Sequence, residues 1–356
     1  MSRDVEDKVG IPKVLVIGPG EKVRGGISSV IRQHKNSSLW DTYKTVWIET
    51  YDDRGDIFKI LAAIRAVFRT LIKIGSFDIV HIYMAHQNSA IRKSIFFLLA
   101  KLWRKKVIVH IHTSQEKFFH TKPFCLVRFL LSRSNMVIVI SSQWRNEVRK
   151  YISESKIEYL PNSIVVPQRI INKREQRQEA VLFYAGKLSD EKGYLDLIQA
   201  LKLVLQKFSR AKLRLAGHGD TIKGQRLAEK LGIESAVEFL GWLTAEEMDA
   251  EYDQADVFCL PSYFEGSPMV VLEAMGRGLP VVAYAVGGIP DMIRHEESGF
   301  LVRPGEVDTL GRVICRLLEN PDLRFKLGKN AYLKVSREYC ADEVFLKLGR
   351  LYSKLY

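Results

Sequence analysis

Two glutamates with seven residues between them are the sharpest chemical signal in the chain. They stand in Pro261-Ser-Tyr-Phe-Glu265-Gly-Ser-Pro-Met-Val-Val-Leu-Glu273-Ala-Met-Gly-Arg-Gly-Leu-Pro280. The apolar run 257–260 before them reads as a buried strand, and a helix is expected to begin near Pro268. The first N–H groups of that helix, at Met269 and Val270, would have no partner within it and would favour an anion. Glu273 falls about a turn and a half inside the helix, among apolar neighbours. A carboxylate there needs partners: ligand hydroxyls would supply them, or the backbone would hold it as a buried structural acid.

Two further junctions of strand and helix carry groups suited to a phosphate. After the apolar run 181–186 comes Gly186-Lys187-Leu-Ser-Asp-Glu-Lys192-Gly193, with two lysines five positions apart. Cations at a helix start add to its dipole in holding a diphosphate; an exposed turn capped by Ser189 or Asp190 is the plainer alternative. Near the start, Gly18-Pro-Gly-Glu-Lys-Val-Arg-Gly25-Gly26-Ile-Ser-Ser lacks the G-x-G-x-x-G spacing of a nicotinamide site. Its Gly-Gly pair still permits close backbone approach to a phosphate, and a tight turn explains it equally well. His112 closes the apolar run 107–112, and His110 shares its parity, so both side chains are expected on one face.

Such junctions need a scaffold of alternating strands and helices. Strand-like runs at 13–18, 45–48, 78–83, 107–112 and 136–140 are separated by helical patterns, notably 57–74 and 91–104. Beyond the polar, proline-bearing stretch 161–179, runs at 181–186, 212–217, 237–240, 257–260 and 280–283 begin a second alternation. Helices are expected there at 193–207, 223–231, 268–277 and 308–318. The fold class is therefore α/β, with two Rossmann-like domains facing across a cleft, as the 356-residue length also suggests. The expected division is 1–165, a linker 166–179, a second domain 180–335, and a C-terminal helix 336–356 crossing back to the first.

Composition narrows the classes further. With 47% hydrophobic and 27% charged residues the chain is an ordinary globular protein, neither disordered nor collagen-like. Cys125, Cys259, Cys315 and Cys340 are widely spaced, without a C-x-x-C pair, which points away from structural zinc and towards a reducing compartment. The start is polar and acidic, unlike a signal peptide, and no apolar run approaches the ~18 residues of a membrane span, so a cytoplasmic or peripheral location is expected. The net charge of +13 is unevenly placed: residues 1–170 hold 28 Lys and Arg against 14 Asp and Glu, whereas 171–356 hold 26 against 27. The basic first half suits an anionic partner, and a merely well-solvated surface is the alternative.

Taken together, the Glu-x7-Glu segment, the Gly-Lys-x-Ser-x-x-Lys-Gly turn, Gly217-His-Gly219 and Val286-Gly287-Gly288-Ile-Pro-Asp resemble the family 4 glycosyltransferases. The resemblance covers the C-terminal half, and rests in the N-terminal half on Gly25-Gly26 and His112. It implies the GT-B fold and retaining, metal-independent transfer of a hexose from a UDP- or GDP-linked sugar, a co-substrate rather than a cofactor. By the same resemblance Glu273 would bind ribose hydroxyls and Glu265 hydroxyls of the transferred sugar. Lys187 and Lys192 would neutralise the diphosphate, joined by the N–H groups of Met269 and Val270. Gly25, Gly26, Gly186 and Gly217 would border the donor, Trp242 and Leu243 would lie near the base, and His112 would face the donor sugar. Position 187 departs from the family, which usually has arginine; lysine keeps the charge and loses the bidentate fork.

The acceptor is read from the first half. In 57–74, Lys59, Arg65, Arg69 and Lys73 fall within roughly 120° of a helix whose remainder is apolar. Two more basic clusters with aromatics follow, Lys101-Leu-Trp-Arg-Lys-Lys106 and 117–124. An anionic membrane surface and a lipid-linked, pyrophosphate-bearing saccharide acceptor for polysaccharide or glycolipid synthesis are expected; a sheet-packed helix with a solvated basic face is the other reading. A nucleotide-sugar epimerase or hydrolase of the same fold, and a non-enzymatic basic membrane- or nucleic-acid-binding protein, are the alternatives. No nucleic-acid-binding signature is present in the sequence.

Overall fold

A computed structural model describes residues 10–23, 26–52, 55–85, 87–113, 124–168 and 179–356. Gly25, segment 117–123 and linker positions 169–178 lie outside the described residues. The chain divides into two compact units, Met1–Asn162 with Ala341–Tyr356, and Ser163–Cys340.

The first unit holds strands β1 (Val14–Gly18), β2 (Val46–Glu49), β3 (Ile79–Met84), β4 (Lys106–Ile111), β5 (Met136–Val139) and β6 (Ile157–Tyr159). They pair in parallel in the order β2-β1-β3-β4-β5-β6. Runs such as Val-Leu-Val-Ile-Gly are buried along their whole length, as a parallel sheet covered on both faces requires. Between the strands lie α1 (Gly26–Lys35), α2 (Ser38–Thr42), α3 (Asp56–Lys73), α4 (Gln87–Leu102), α5 (Phe124–Arg133) and α6 (Ser142–Val148).

The second unit repeats the plan with β7 (Val181–Ala185), β8 (Lys212–Ala216), β9 (Val237–Gly241), β10 (Val257–Leu260), β11 (Val281–Tyr284) and β12 (Phe300–Val302). Its order is β12-β11-β10-β7-β8-β9, all parallel. The helices are α7 (Tyr194–Lys207), α8 (Thr221–Leu231), α9 (Ala245–Gln254), α10 (Met269–Gly276), α11 (Ile289–Met292), α12 (Val307–Glu319) and α13 (Pro321–Glu338). In each sheet the order reverses once, between β1 and β3 and between β7 and β10, which opens a crevice at the carboxyl ends of those strands.

Where one C-terminal helix is expected from 336, two helices meet. α13 ends at Glu338 and α14 (Ala341–Leu355) begins three residues later. The break is pinned: Ile164 donates its N–H to the Tyr339 carbonyl at 3.0 Å, and Ile164 and Cys340 form an isolated parallel bridge. α14 then packs in the first unit, where Tyr43 Oη donates to the Gly349 carbonyl at 2.8 Å and Phe345 stacks on His34 with ring centroids 5.4 Å apart. The edge strands β6 and β12 escape sequence reading because three residues are too few to show a period.

Helix α3 is inverted relative to an ordinary sheet-packed helix. Its small residues Ala66 and Thr70 are buried, whereas Ile60, Phe68 and Ile72 are 60%, 63% and 80% exposed. The expectation of a solvated basic face over a buried apolar one does not hold, because the sheet side is lined by the small side chains.

Candidate functional site

The site residues of the second unit gather at the carboxyl ends of β10, β7, β8 and β9, which are neighbours in that order. The loop after β7 and the loop after β10 flank the reversal and are tied to each other. Tyr263 donates its N–H to the Glu191 carbonyl at 2.9 Å, and Ser262 Oγ donates to the Lys192 carbonyl at 3.5 Å. Lys192 Nζ then reaches Glu265 Oε1 at 2.6 Å and the Phe264 carbonyl at 3.2 Å. Two residues 73 positions apart thus form a half-buried ion pair at the switch point.

Three glycines make this closeness possible. Gly193 has φ +66°, and a Cβ on it would lie 1.7 Å from the Pro261 carbonyl oxygen. Gly287 has φ +58°, and its Cβ would stand 1.6 Å from the carbonyl oxygen of Glu265 itself. Gly217 at φ +138° has the Gly186 carbonyl oxygen 1.8 Å from where a Cβ would be. Side chains at these points would overlap backbone, so glycine is required by the fold as well as by any ligand.

α10 starts after Pro268, with Met269 and Val270 in its first turn. Glu273, one turn on, is partly buried and accepts a hydrogen bond from Tyr252 Oη at 2.9 Å through Oε2. Among the described residues no other group bonds this carboxylate. Burial raises its pKa above the usual carboxylate range, opposed by the Tyr252 hydrogen bond and the charge of Arg277. The backbone alternative for Glu273 therefore fails: a tyrosine from α9 supplies one partner and the other oxygen stays open. Lys187 is exposed and makes no ion pair with a described residue. Further along the row, Gly186 donates to the Ala216 carbonyl at 2.9 Å and Gly217 to the Gly241 carbonyl at 2.7 Å. Next to them, Trp242 is 54% exposed with its indole 5.7 Å from the His218 ring, and Leu243 packs on the core.

In the first unit, Gly26 opens α1, and a Cβ there would meet nothing among the described residues within 4 Å. His112 directly follows β4, its ring 4.1 Å from that of His110 and 5.3 Å from that of Tyr83. Its Nε2 is buried with no hydrogen-bond partner among the described residues. Burial, and then the charge of Lys93, pushes its pKa down to about 3, so the imidazole is neutral at ordinary pH. Lys93 is itself buried, donates to the Tyr83 carbonyl, and has its pKa lowered to about 7 by burial. His110 belongs to a structural chain instead: His81 Nε2 lies 3.2 Å from His110 Nδ1, and His81 Nδ1 lies 2.7 Å from Tyr352 Oη of α14.

Sequence reasoning missed Tyr252, since the acidic helix α9 shows too weak an apolar stripe to be read. It also gave no role to Asp196, whose Oδ2 accepts from Tyr263 Oη and Tyr284 Oη, both at 2.7 Å. This carboxylate braces the loop that carries Glu265.

Comparison with known proteins agrees with both halves. Residues 168–334 match the model for glycosyl transferases group 1, and residues 30–166 match that for glycosyltransferase family 4. The chain is 31% identical over 234 residues to an uncharacterized glycosyltransferase of Methanocaldococcus jannaschii, the match spanning 62% of this chain and 60% of that relative. In three dimensions it is similar to HepE of Anabaena in complex with UDP, with a TM-score of 0.76 and 19% identity over 96% of this chain and all of the other. It is also similar to the lipopolysaccharide outer core galactosyltransferase WaaB, with a TM-score of 0.71 and 22% identity over 96% of this chain and 100% of the other. Two doubly wound parallel sheets and a family match in each half together mean that this chain belongs to the family 4 glycosyltransferases, with the GT-B fold.

Proposed function

We propose that the protein transfers a hexosyl group, with retention and without a metal ion, from a nucleoside-diphosphate sugar to a lipid-linked saccharide at an anionic membrane surface. The observation that carries this reading is the Lys192–Glu265 pair at the switch point, beside a helix that presents free N–H groups and the open carboxylate of Glu273. The first turn of α10, with Lys187 and Lys192, provides positive potential for a diphosphate; Glu273 accepts from ribose hydroxyls and Glu265 from hydroxyls of the sugar. Trp242 and Leu243 offer an aromatic and an apolar surface for the base. Because Lys192 already holds Glu265, its ammonium can bridge carboxylate and phosphate, coupling the position of the sugar to that of its leaving group.

The bond from the anomeric carbon to the diphosphate breaks as the acceptor oxygen bonds the same face of that carbon. The acceptor proton passes to the departing phosphate. His112, neutral and with an unpartnered Nε2, contributes a hydrogen bond towards the sugar rather than a charge. HepE binds UDP and WaaB acts on lipopolysaccharide outer core, which supports a uridine donor and a glycolipid or polysaccharide acceptor here. Among the described residues no helix is long and apolar enough to cross a membrane, and the basic first unit supports docking at the cytoplasmic face.

The test is a screen of UDP-, GDP- and ADP-sugars for binding and slow hydrolysis, with Glu273→Ala alongside. One donor should bind, and the substitution should weaken it by roughly tenfold or more. Absence of binding by all donors, or equal binding by the variant, sinks the donor-site reading. Epimerised sugar without any acceptor requirement sinks the transferase reading alone.

A further inference from the structure

The first unit contains a cavity of about 680 Å³ at the carboxyl ends of β1 and β2, walled on one side by α3. Three cations line it: Lys22 from the loop after β1, and Arg65 and Arg69, one turn apart on α3. None of the three makes an ion pair or side-chain hydrogen bond with any described residue. Carboxylates in the same wall are already engaged. Glu21 is paired with Lys35 Nζ at 2.9 Å, Glu49 accepts the Glu21 N–H at 2.7 Å, and Asp52, the third, also has a partner, which is none of the three cations. Cations that converge on a cavity and stay unmatched by its own acids are arranged for an anion from outside.

The same helix carries an apolar surface that borders this cavity. At about 100° per residue, Phe58, Leu61, Arg65 and Arg69 share one arc of α3, and the exposed Ile60, Ile64, Phe68, Leu71 and Ile72 fill the adjoining arc, overlapping it at Leu61. α4 continues the surface with Ile91, Ile95, Leu98 and Leu102, all exposed. Residues 56–105 hold nine Lys and Arg against two Asp, so two copies joined through this face would set like charge against like. An exposed apolar face of this extent marks a binding surface.

We propose that the cavity and the face form one site for an amphiphile: a phosphate-bearing head bound by Arg65, Arg69 and Lys22, with its apolar chain laid along α3. Its identification as the acceptor's site rests on the transferase reading above; the site itself does not. Tyr51 lines the cavity beside these cations, with the Arg92 guanidinium 5.0 Å and Lys59 Nζ 6.0 Å from its ring centroid, which adds to the positive potential there.

The experiment titrates the full chain with three probes: inorganic pyrophosphate, farnesol and farnesyl diphosphate. Wild type is compared with Arg65→Ala/Arg69→Ala, Phe58→Ser/Leu61→Ser and Lys192→Ala, each checked by thermal melt. Farnesyl diphosphate should bind at least about tenfold more tightly than pyrophosphate or farnesol. The arginine variant should lose most of the affinity for farnesyl diphosphate and the Phe58/Leu61 variant the advantage of the chain, whereas Lys192→Ala, which can weaken pyrophosphate bound at the donor site, should keep farnesyl diphosphate binding. If farnesyl diphosphate binding is lost in Lys192→Ala and kept without the arginines, the anion sits in the second unit; the proposal fails and the donor reading stands. Equal affinity for pyrophosphate and farnesyl diphosphate also overturns it, leaving a plain anion site. Failure of every probe to bind overturns it while the donor screen is unaffected.

Discussion

Acidification should unfold the first unit well before the second. His34 has both ring nitrogens buried without a partner, and burial lowers its pKa to about 3 from an ordinary 6.5. His112 is lowered to about 3 as well, and burial holds His81 and His110 far below the usual range in the same unit. A group whose folded pKa is depressed binds its proton first in the unfolded chain. Its stabilisation is therefore complete above about pH 6.5 and is lost as the pH falls towards 3. At pH 5, pKa values of about 3 folded and 6.5 unfolded correspond to a loss of about 2 kcal/mol for each of His34 and His112. Together they remove about 4 kcal/mol from a domain whose whole stability is of order 5–15 kcal/mol, lowering its midpoint by roughly 10 °C. The second unit has no buried histidine among its described residues. Scanning calorimetry between pH 7.5 and 5 should resolve an acid-sensitive transition and a nearly fixed one. His34→Phe, with Trp40 and Phe345 packed beside the ring, should raise the sensitive transition and remove about 2 kcal/mol of its pH dependence. Equal decline of both transitions, or a pH dependence that His34→Phe leaves untouched, would refute the argument.

Three further outcomes concern the second unit. Gly287→Ala should destabilise it by about 1–3 kcal/mol in thermal melts and weaken donor binding, since a Cβ would lie 1.6 Å from the Glu265 carbonyl oxygen at φ +58°. Wild-type affinity in that variant would show that the loop shifts without moving the carboxylate. Tyr252→Phe removes one hydrogen bond from Glu273 and should weaken donor binding by about fivefold, read by calorimetric titration, with little change in fold. Lys187→Ala should lower kcat by roughly 10²-fold while Lys187→Arg retains activity, because the exposed ammonium acts as a charge that arginine can replace. A Lys187→Ala enzyme with unchanged kcat would remove that lysine from the transition state.

Much of the architecture was written locally. Fully apolar runs of four to six residues, spaced by helical patterns, dictate buried parallel strands, and β10 spans the 257–260 read from its pattern alone. Glu265, Glu273 and both lysines were visible as chemistry because each follows an apolar run or sits in a helix that would otherwise exclude charge. Tertiary structure decided what they touch. Lys192 meets Glu265 only because β7 lies beside β10 where the strand order reverses, a pairing that no local pattern specifies. Glu273 gains Tyr252 from α9, whose acidic sequence gave no sign of a site. The orientation of α3 was likewise beyond the sequence. Hydrophobic periodicity reports that a helix has an apolar arc, but which arc faces the sheet depends on the room beneath it. Here that room admits Ala66 and Thr70 and leaves the phenylalanine and isoleucines outside.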